Sequence, residues 1–457
     1  MRQTARQPIR QSKGRHMMRL LQALIIVSLT SVTAANAAVI AATSCSSAAV
    51  QAAINSAASG DTVVIPGGSC TWTSGVTISG KGVILRGQSP GQVTINNNVT
   101  NRPAIDITES NTHHTEISNL TIVGNSSEYA AIDVGTNAVN GTGQAVLIHH
   151  IVFTNSRSIR MNTNRGVIYS NTMNDNKGIR DFVQCTPGDR VPNSWTTVST
   201  MGTADATGQS NVYVEDNVIT FSLAQSIDIA AGCRIVIRHN TFDHSALSSH
   251  GADTEPTGLR HFELYDNTFI WINRGETDGS QTVGLDYFFF LRGGTGVITN
   301  NTGLVDMISP AWGNKAALKA TVMNLQRNAG PNPCWGVGTT GGARYPAPRQ
   351  IGLGRVTGTG RDGLNRLNDS VTYVGDSEPL YIWNQPGLTP RLEDYGSNNS
   401  GACSGPYDTT ANYVRQGRDY FVGTPKPGWT PYTYPHPLRS PGVVQAPSAP
   451  QNLRIVP

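Results

Sequence analysis

Residues 211–221 read NVYVEDNVITF, and three later stretches share this shape: RIVIRHNTFDH at 234–244, RHFELYDNTFI at 260–270 and GTGVITNNTGL at 294–304. In each stretch an alternating apolar run ends in an asparagine, and another apolar side chain follows within a few residues. Alternation predicts a strand with one buried face, because successive side chains point to opposite sides of a strand. A unit this short cannot bury a core alone, so its repetition predicts a solenoid.

The repeated asparagines predict a column of stacked side-chain amides at the turns. An amide has two donors and two acceptors, so such a column can satisfy both itself and the turn backbone. With weaker upstream copies included, the column is predicted to contain Asn119, His150, Asn171, Asn217, Asn240, Asn267 and Asn301. Intervals of 21 to 46 residues fit a rung of roughly twenty-two residues with inserted loops. Leucine-rich repeats and propellers have other patterns, and neither is present.

The N-terminus has the features of a secretory signal, and we assign residues 1–38 to it. A basic flank precedes the apolar run LLQALIIVSLTSV at 20–32, and small residues ending in Ala35-Asn36-Ala37 follow. This run is too short for a permanent membrane span. The sequence therefore predicts a secreted protein, extracellular or periplasmic, without stable membrane insertion.

The charge of the chain gives no argument for a nucleic-acid partner. The formal net charge is +4, but residues 1–37 contain six basic residues and no acidic ones. Without this leader the balance is slightly negative, so the basic pI of the whole chain does not indicate an acidic partner. Nucleic-acid binding is therefore not expected, and we expect a monomer.

Six cysteines form an even set in a chain that is predicted to be exported, so disulfides are expected. Cys45 and Cys70 flank one helix-plus-strand unit and are expected to pair. Proximity along the chain then favours Cys185 with Cys233 and Cys334 with Cys403. Six cysteines allow fifteen pairings, and the alternatives stay open.

The N-terminal part of the mature chain carries a family resemblance. Residues 46–54 read as a short amphipathic helix, which would cover the first rung of a solenoid. GDTVVIPGG at 60–68 and GVTISGKGVILRGQ at 75–88 follow, and then the asparagine-bearing rungs. This order resembles secreted right-handed parallel β-helix proteins of the pectate-lyase superfamily over roughly residues 45–305. SEPLYIWN at 377–384 and YTYPHPL at 432–438 resemble the tail of one bacterial branch.

The resemblance implies an all-β fold, a right-handed parallel β-helix with an N-terminal helix cap and a C-terminal wrapping segment. We expect the β-helix domain over 39–305 and a C-terminal cap and wrap packed on it over 306–440. Residues 441–457 are expected to be a linker and tail, whose end is similar to the first strand of a fibronectin type III module. The superfamily includes pectate, pectin and alginate lyases, polygalacturonases and phage tailspikes, so fold alone does not select an activity.

Alternation also predicts which side chains face outward from the strands. The residues two positions before each asparagine, namely Glu215, Arg238, Tyr265 and Thr299, should stack on one outer face. A surface ladder of ion pairs is the simplest interpretation, and such pairs contribute little stability. Because superfamily lyases often use Arg or Lys as the base, the resemblance also makes Arg238 a catalytic candidate.

A second set of polar residues predicts a groove along one flank. Asp228, His250, Asp253 and Arg292 precede their asparagines so that several should fall on neighbouring coils. Loops near 250–259 and 271–284 would form walls beside this flank. We expect Trp271, Arg274 and Tyr287 to contact substrate there, the two aromatic rings by stacking on sugars. Core packing of these rings is the open alternative.

The groove residues match the chemistry of a uronic-acid lyase. Such an enzyme must neutralise the carboxylate, remove the adjacent proton and protonate the leaving oxygen. Ca²⁺ held by Asp228 and Asp253, or an arginine clamp from Arg260 or Arg292, can do the first. His250 titrates in the useful range, and Arg292 is a second candidate base.

The expected function is a secreted lyase that cleaves an acidic polysaccharide by β-elimination, and two alternatives stay open. One is a β-helix that binds glycans or a cell surface without catalysis. The other is a glycoside hydrolase, although the sequence lacks the paired carboxylates that an inverting enzyme needs. No R-x-P-x-x-R, Gly-His-Gly, phosphate loop or G-x-S-x-G motif is present.

Overall fold

The structure, a computed structural model, describes residues 37–124, 129–135, 143–174, 181–187, 195–220, 225–243, 245–250, 258–270, 287–304, 307–309, 315–324, 350–357, 375–393, 410–439 and 453–455. In these residues three sheets run side by side, and from Thr62–Ile65 to Tyr287–Leu291 each turn of the chain adds one strand to each sheet. Successive rungs pair in parallel, and parallel strands joined by crossovers give a right-handed coil. The predicted right-handed parallel β-helix is therefore confirmed.

The three sheets differ in length and in the number of strands. Sheet A contains Val39–Ala41, Thr62–Ile65, Ile84–Gly87, Thr115–Ser118, Val146–His149, Gly166–Tyr169, Val212–Glu215, Arg234–Arg238, His261–Tyr265, Thr295–Thr299, Leu380–Trp383, Tyr420–Val422 and Leu453–Ile455. Sheet B contains Gly68–Trp72, Val93–Asn97, Thr121–Val123, Val152–Thr154, Thr172–Asn174, Val218–Thr220, Thr241–Asp243 and Thr268–Ile270.

Sheet C contains the parallel strands Val76–Ile78, Ile105–Ile107, Ile132–Val134, Ile159–Met161, Val183–Cys185, Ile227–Ile229, Leu247–Ser249, Tyr287–Leu291, Lys315–Met323 and Pro390–Leu392, and Met307–Ser309 joins them antiparallel. Leu353–Val356 and Gly375–Ser377 form a separate antiparallel pair. The core lies between the three sheets, because the strands of the stacked rungs turn apolar side chains inward. Stacked Val, Ile, Leu and Phe side chains fill it from Val63 to Ile382.

The N-terminal end is closed by the α-helix Ser47–Ser56. Ser46 caps this helix by accepting a hydrogen bond from the Ala49 amide at its hydroxyl. Val50, Ala53 and Ile54 face the first rung and are buried. The predicted cap helix therefore begins and ends within two residues of its expected position. Two shorter helices, Thr410–Tyr413 and the 3₁₀ turn Pro437–Arg439, lie near the other end of the chain.

The asparagine ladder is present at the turns between sheets A and B. Each side-chain amide donates to the oxygen of the next one at 2.9–3.0 Å, through Asn171, Asn217, Asn240, Asn267 and Asn301. The same amide groups also donate to backbone carbonyls of the preceding rung, as from Asn240 to Val214. Gln385 continues the ladder by accepting from Asn301 at 3.0 Å. The sequence reading missed this last member because it is a glutamine.

The prediction that Asn119 and His150 belong to the ladder is wrong by one residue. Strand register aligns them with Ser170, one position before the ladder. At that position the backbone has positive φ, 59° at Asn119 and 53° at His150. Asparagine and histidine tolerate this left-handed conformation better than most side chains. The ladder position on these two rungs is occupied by Leu120 and Ile151, which are buried.

Two of the predicted disulfides are present. Cys45 pairs with Cys70, and Cys185 pairs with Cys233. The second bridge joins a strand of sheet C to the turn before a strand of sheet A. The predicted pair Cys334–Cys403 lies outside the described residues.

The β-helix continues beyond residue 305, where the sequence repeat fades. Leu380–Trp383 and Tyr420–Val422 add two further strands to sheet A, in parallel. At the other edge, Leu453–Ile455 pairs in parallel with Val39–Ala41. An edge strand offers unpaired backbone groups, and this pairing satisfies them. The end of the chain therefore extends sheet A, whereas the sequence suggested an incomplete fibronectin-like strand.

Residues 424–439, which we call the strap, lie across the outer face of sheet A. The carbonyls of Tyr432 and Thr433 each accept a 2.7 Å hydrogen bond from the guanidinium of Arg238. Trp429 donates its indole N–H to Glu263 at 2.8 Å. None of the helices in the described ranges has the length and apolar character that crossing a membrane requires.

Candidate functional site

Sheet C presents a row of polar side chains to the outside. Its first six strands, from Val76–Ile78 to Ile227–Ile229, are apolar–polar–apolar triplets whose outer two residues lie in the core. The middle residue therefore faces outward. Strand register stacks these middle residues into what we call the polar row: Thr77, Asp106, Asp133, Arg160, Gln184, Asp228 and Ser248. Neighbouring strands are about 4.8 Å apart, so the row is a continuous polar track.

Three of the predicted site residues, Asp228, His250 and Arg292, meet at one end of this row, and we call them the sheet C cluster. His250 directly follows the strand Leu247–Ser249, and Arg292 directly follows Tyr287–Leu291. Three consecutive rungs thus supply one residue each. Nε2 of His250 lies 2.8 Å from Oδ1 of Asp228 and 2.7 Å from Nη2 of Arg292.

The guanidinium of Arg292 is held in place by the rung below it. Its Nε donates to the Ser249 carbonyl at 3.0 Å, and Nη2 donates to the Ser248 hydroxyl at 3.0 Å. The same group lies 5.0 Å from the ring centroid of Phe290, within reach of a cation–π interaction. Arg292 is 5% exposed, so a fixed positive charge is kept beside His250.

Asp228 is buried and ionised. Burial alone would raise its pKa, but the charge and hydrogen bonding of His250, followed by the charge of Arg292, lower the pKa below its usual range. Gln184 adds a weak hydrogen bond at 3.4 Å to the second carboxylate oxygen. An anionic Asp228 orients the imidazole and stabilises its protonated form.

Nε2 of His250 lies between an acceptor and a donor. The 2.8 Å contact to Asp228 is an ion-pair distance, although the N–H direction is not aligned for a full hydrogen bond. Because one nitrogen carries at most one hydrogen, the contacts to Asp228 and Arg292 are alternatives. With a proton, the imidazolium forms an ion pair with Asp228. Without it, Nε2 accepts from Arg292, so both protonation states have a partner.

Farther along the polar row, a second arginine is fixed by a carboxylate. Arg160 donates to Asp133 through Nε at 2.7 Å and through Nη2, and the Asn162 amide donates to the other Asp133 oxygen. Asp133 is 0% exposed, whereas the Arg160 side chain is 29% exposed. Arg160 stands two rungs from Asp228, or about 10 Å along the row. The sequence reading missed Arg160, although the triplet Ile159-Arg160-Met161 carries the same signal as Ile227-Asp228-Ile229.

Arg238 was predicted to lie on an exposed ladder, and this prediction is wrong. Its side chain is 0% exposed, and its Nε donates to Glu215 at 2.8 Å. Nη1 also donates to the Tyr265 hydroxyl at 3.1 Å, besides the strap carbonyls. The face does point away from the core, but the strap covers it. A role as catalytic base is excluded in this arrangement, because substrate cannot reach the guanidinium.

Arg260 does not join the groove either. Its guanidinium makes a two-pronged ion pair with Glu378, at 2.7 and 3.0 Å, and lies 5.4 Å from the Trp195 ring centroid. The residue is 0% exposed. Arg260 immediately precedes the sheet A strand His261–Tyr265, so it is not part of sheet C. The prediction that Arg260 binds a substrate carboxylate is therefore wrong, because Glu378 already occupies its guanidinium.

Of the predicted substrate-binding and metal-binding residues that remain, the structure describes only Tyr287. Tyr287 is 7% exposed and packs against Phe290 with ring centroids 4.6 Å apart, so it is a core residue and offers no stacking face. Trp271, Arg274 and Asp253 lie outside the described residues, and their roles stay predictions.

The described surroundings of Asp228 do not fit calcium. Ca²⁺ takes six to eight oxygen ligands, whereas both Asp228 oxygens face nitrogen atoms of His250 and Gln184. In the described parts of the chain no three His, Cys, Asp or Glu side chains converge as metal ligands.

No protein-family model matches the chain, and no curated protein matches it. Similar solved structures include an alginate lyase from Paenibacillus sp. str. FPU-7, at 11% identity and a TM-score of 0.36, covering 64% of this chain and 89% of that one. A mannuronic acid specific family 6 polysaccharide lyase from human gut microbiota has 14% identity and a TM-score of 0.36, with 64% and 69% covered. The catalytic domain of a GH87 α-1,3-glucanase has 13% identity and a TM-score of 0.29, with 85% and 68% covered. These values assign no activity to this chain, whose parallel β-helix is established by its own strand pairing.

Proposed function

We propose that the protein is a polysaccharide-active enzyme, specifically a lyase that cleaves a uronic-acid polymer by β-elimination at the sheet C cluster. The observation that carries this proposal is the meeting of Asp228, His250 and Arg292, from three consecutive rungs, at the end of an outward polar row. A carboxylate, an imidazole and a guanidinium in contact are suited to moving a proton beside a negative charge.

The proposed roles follow from the contacts. β-Elimination removes the proton next to the uronate carboxylate, forms a carbon–carbon double bond and releases the glycosidic oxygen, which takes up a proton. His250 has a partner for Nε2 in either protonation state, so it is the proposed proton carrier. Asp228 orients His250, and Arg292 supplies the positive charge that stabilises a developing enolate. Arg160 offers a second, partly exposed positive charge to a neighbouring sugar carboxylate.

The charges at the site favour a lyase over a hydrolase. An inverting glycosidase needs one carboxyl group that stays protonated and a second that is ionised. The pKa of Asp228 is lowered, which makes it a poor acid. Asp133, three strands away in the row, is held by Arg160 and Asn162. Two positive arginines beside the row suit a polyanionic substrate.

The test is ultraviolet absorbance during incubation of the protein with a panel of uronic-acid polysaccharides. A rising signal from an unsaturated uronate is expected for at least one polymer. A flat trace with new reducing ends would replace the lyase by a hydrolase. A flat trace without reducing ends, together with retention on a glycan array, would favour a non-catalytic binding protein. The panel is run with and without Ca²⁺, because Asp253 stays a predicted ligand.

A further inference from the structure

A second group of titratable side chains lies on the outer face of sheet A, away from the sheet C cluster. It consists of Glu116, His149 and His150, which two adjacent rungs bring together. Nδ1 of His149 lies 2.7 Å from Nδ1 of His150. On the opposite side of the ring, Nε2 of His149 lies 3.1 Å from Oε1 of Glu116, with an N–H direction that is not aligned for a full hydrogen bond.

We propose that His149 and His150 bind one divalent transition-metal ion through their two Nδ1 atoms, with Glu116 as the carboxylate behind His149. Histidine ligands usually donate their other ring N–H to a carboxylate or carbonyl, which fixes the ring and raises its basicity. His149 has this arrangement, because its Nε2 faces the Glu116 carboxylate and its Nδ1 faces His150. This proposal is independent of the proposed lyase activity.

The backbone explains why two adjacent histidines converge. His149 ends the strand Val146–His149, and His150 has φ of +53°, so the chain turns between the two side chains. In an extended strand, neighbouring side chains would point to opposite faces. Metal–imidazole bonds are about 2.0–2.1 Å long, so a small opening of the exposed His150 lets both nitrogens reach one ion.

The protonation states are compatible with metal binding. Without a metal, one Nδ1 donates a hydrogen to the other. When the metal binds, the hydrogen on His150 moves to Nε2, which is the neutral tautomer that ligates through Nδ1.

Neighbouring groups limit the strength and the type of the site. The ring of His149 stacks on Tyr169, with centroids 4.4 Å apart, which holds it still. Arg439 lies 4.6 Å from the Tyr169 centroid, but its charge is paired with Glu215 and Asp216. Because no third His, Cys, Asp or Glu converges among the described side chains, water would complete the shell. Imidazole nitrogens suit Cu²⁺, Ni²⁺ and Zn²⁺, and Cu²⁺ binds tightest in this series.

The test is titration of the full chain with Cu²⁺ against a competing chelator, with electron paramagnetic resonance of the bound ion. One strong equivalent with two coordinated nitrogens is expected. His150→Ala should weaken binding at least 100-fold. Glu116→Gln keeps a side chain of the same size and should weaken binding 10- to 100-fold, as loss of a supporting carboxylate does.

His239→Ala is the matched control. His239 occupies the same turn position on another rung, with φ of +56°, and in the described part of the chain no contact joins it to a second histidine. Its removal should leave the strong equivalent unchanged. Equal weakening by His150→Ala and His239→Ala, or a spectrum with fewer than two nitrogens, would overturn the proposal. Circular dichroism of each variant separates loss of the site from loss of the fold.

Discussion

At the scale of the residue, the same side-chain type has opposite roles on the two sides of the β-helix. Arg292 lies beside His250 at the end of the polar row, whereas Arg238 is enclosed between Glu215, Tyr265 and the strap. Both are arginines that follow or end a strand, and both are buried. What distinguishes them is the partner: Arg292 contacts the imidazole of His250, whereas Arg238 is held by a carboxylate, a phenol and backbone carbonyls. We therefore expect Arg238 to stabilise the fold, whereas Arg292 is part of the proposed site.

Arg238→Met tests this division. Removing Arg238 takes away one of the two arginine partners of the buried Glu215 and leaves Arg439, which donates to that carboxylate at 3.0 Å. We expect the free energy of unfolding to fall by roughly 3–5 kcal/mol. We also expect the rate of the proposed reaction per folded molecule to stay the same, because Arg238 is bound to Glu215, Tyr265 and the strap on sheet A, away from the sheet C cluster. Denaturant unfolding and a rate per folded molecule measure the two effects. A stable but inactive variant would restore Arg238 as a catalytic residue.

Glu263 makes stability depend on pH in an unusual direction. The residue is 0% exposed, and burial raises its pKa to about 7, against a usual value of 4.5, although Trp429, the Gly202 amide and Arg238 act in the opposite direction. The folded state thus holds a proton that the unfolded state releases above pH 4.5. This contribution to stability is complete below pH 4.5 and is lost as the pH rises through about 7. The difference corresponds to roughly 3 kcal/mol.

Glu263→Gln should remove this dependence, because glutamine does not titrate. Melting temperatures of both proteins between pH 4.5 and 8 measure it. The wild-type protein should lose stability relative to the variant as the pH rises. Parallel curves for the two proteins would contradict the assigned protonation of Glu263.

At the scale of the element, the asparagine ladder joins successive rungs at their turns. Asn240 donates to Val214, Arg238 and Asn267, and accepts from both the backbone and the side chain of Asn217. Each amide satisfies groups on two neighbouring rungs, so the ladder transmits the register of sheet A to sheet B. Satisfied buried networks of this kind specify one arrangement of the backbone.

Asn240→Ala should destabilise the protein by roughly 3 kcal/mol, because several buried donors and acceptors lose their partner. Asn174→Ala is the matched control. Asn174 is an exposed asparagine of sheet B, so its removal should change the free energy by less than about 0.5 kcal/mol. Chemical denaturation of both variants decides the point. Equal effects would mean that the ladder adds nothing beyond ordinary side-chain packing.

At this scale, the sequence predicts the repeated strands and most of the ladder, but not every residue of the ladder. The β-helix follows from alternation and from repeated asparagines, since both signals are local. The shift of Asn119 and His150 by one position was not predictable, because both residue types fit a left-handed turn as well as a ladder. Gln385 was missed because the search pattern was a repeated asparagine, whereas a glutamine side-chain amide makes the same hydrogen bond to Asn301. The pair Cys45–Cys70 followed from the helix-plus-strand unit that the two residues flank, and Cys185–Cys233 followed from proximity along the chain; both are confirmed.

At the scale of the whole molecule, contacts over long sequence separations decide which polar face is accessible. The meeting of Asp228, His250 and Arg292 was predictable, because each lies at a similar place on a neighbouring rung. The burial of Arg238 was not, because it depends on a strap more than 180 residues farther along the chain. The strap therefore covers the part of sheet A around Arg238 and Glu263, and a separate polar row lies on sheet C.

The central claim is that the sheet C cluster performs the chemistry, and one rate comparison tests it most directly. On the polymer found by the absorbance panel, the initial rates of wild type, His250→Ala and the control His239→Ala are measured at equal folded concentration. Loss of the proton carrier should slow His250→Ala by 100- to 10,000-fold per folded molecule, while His239→Ala keeps the wild-type rate. A His250→Ala rate within a few-fold of wild type would contradict the account and move the active site elsewhere.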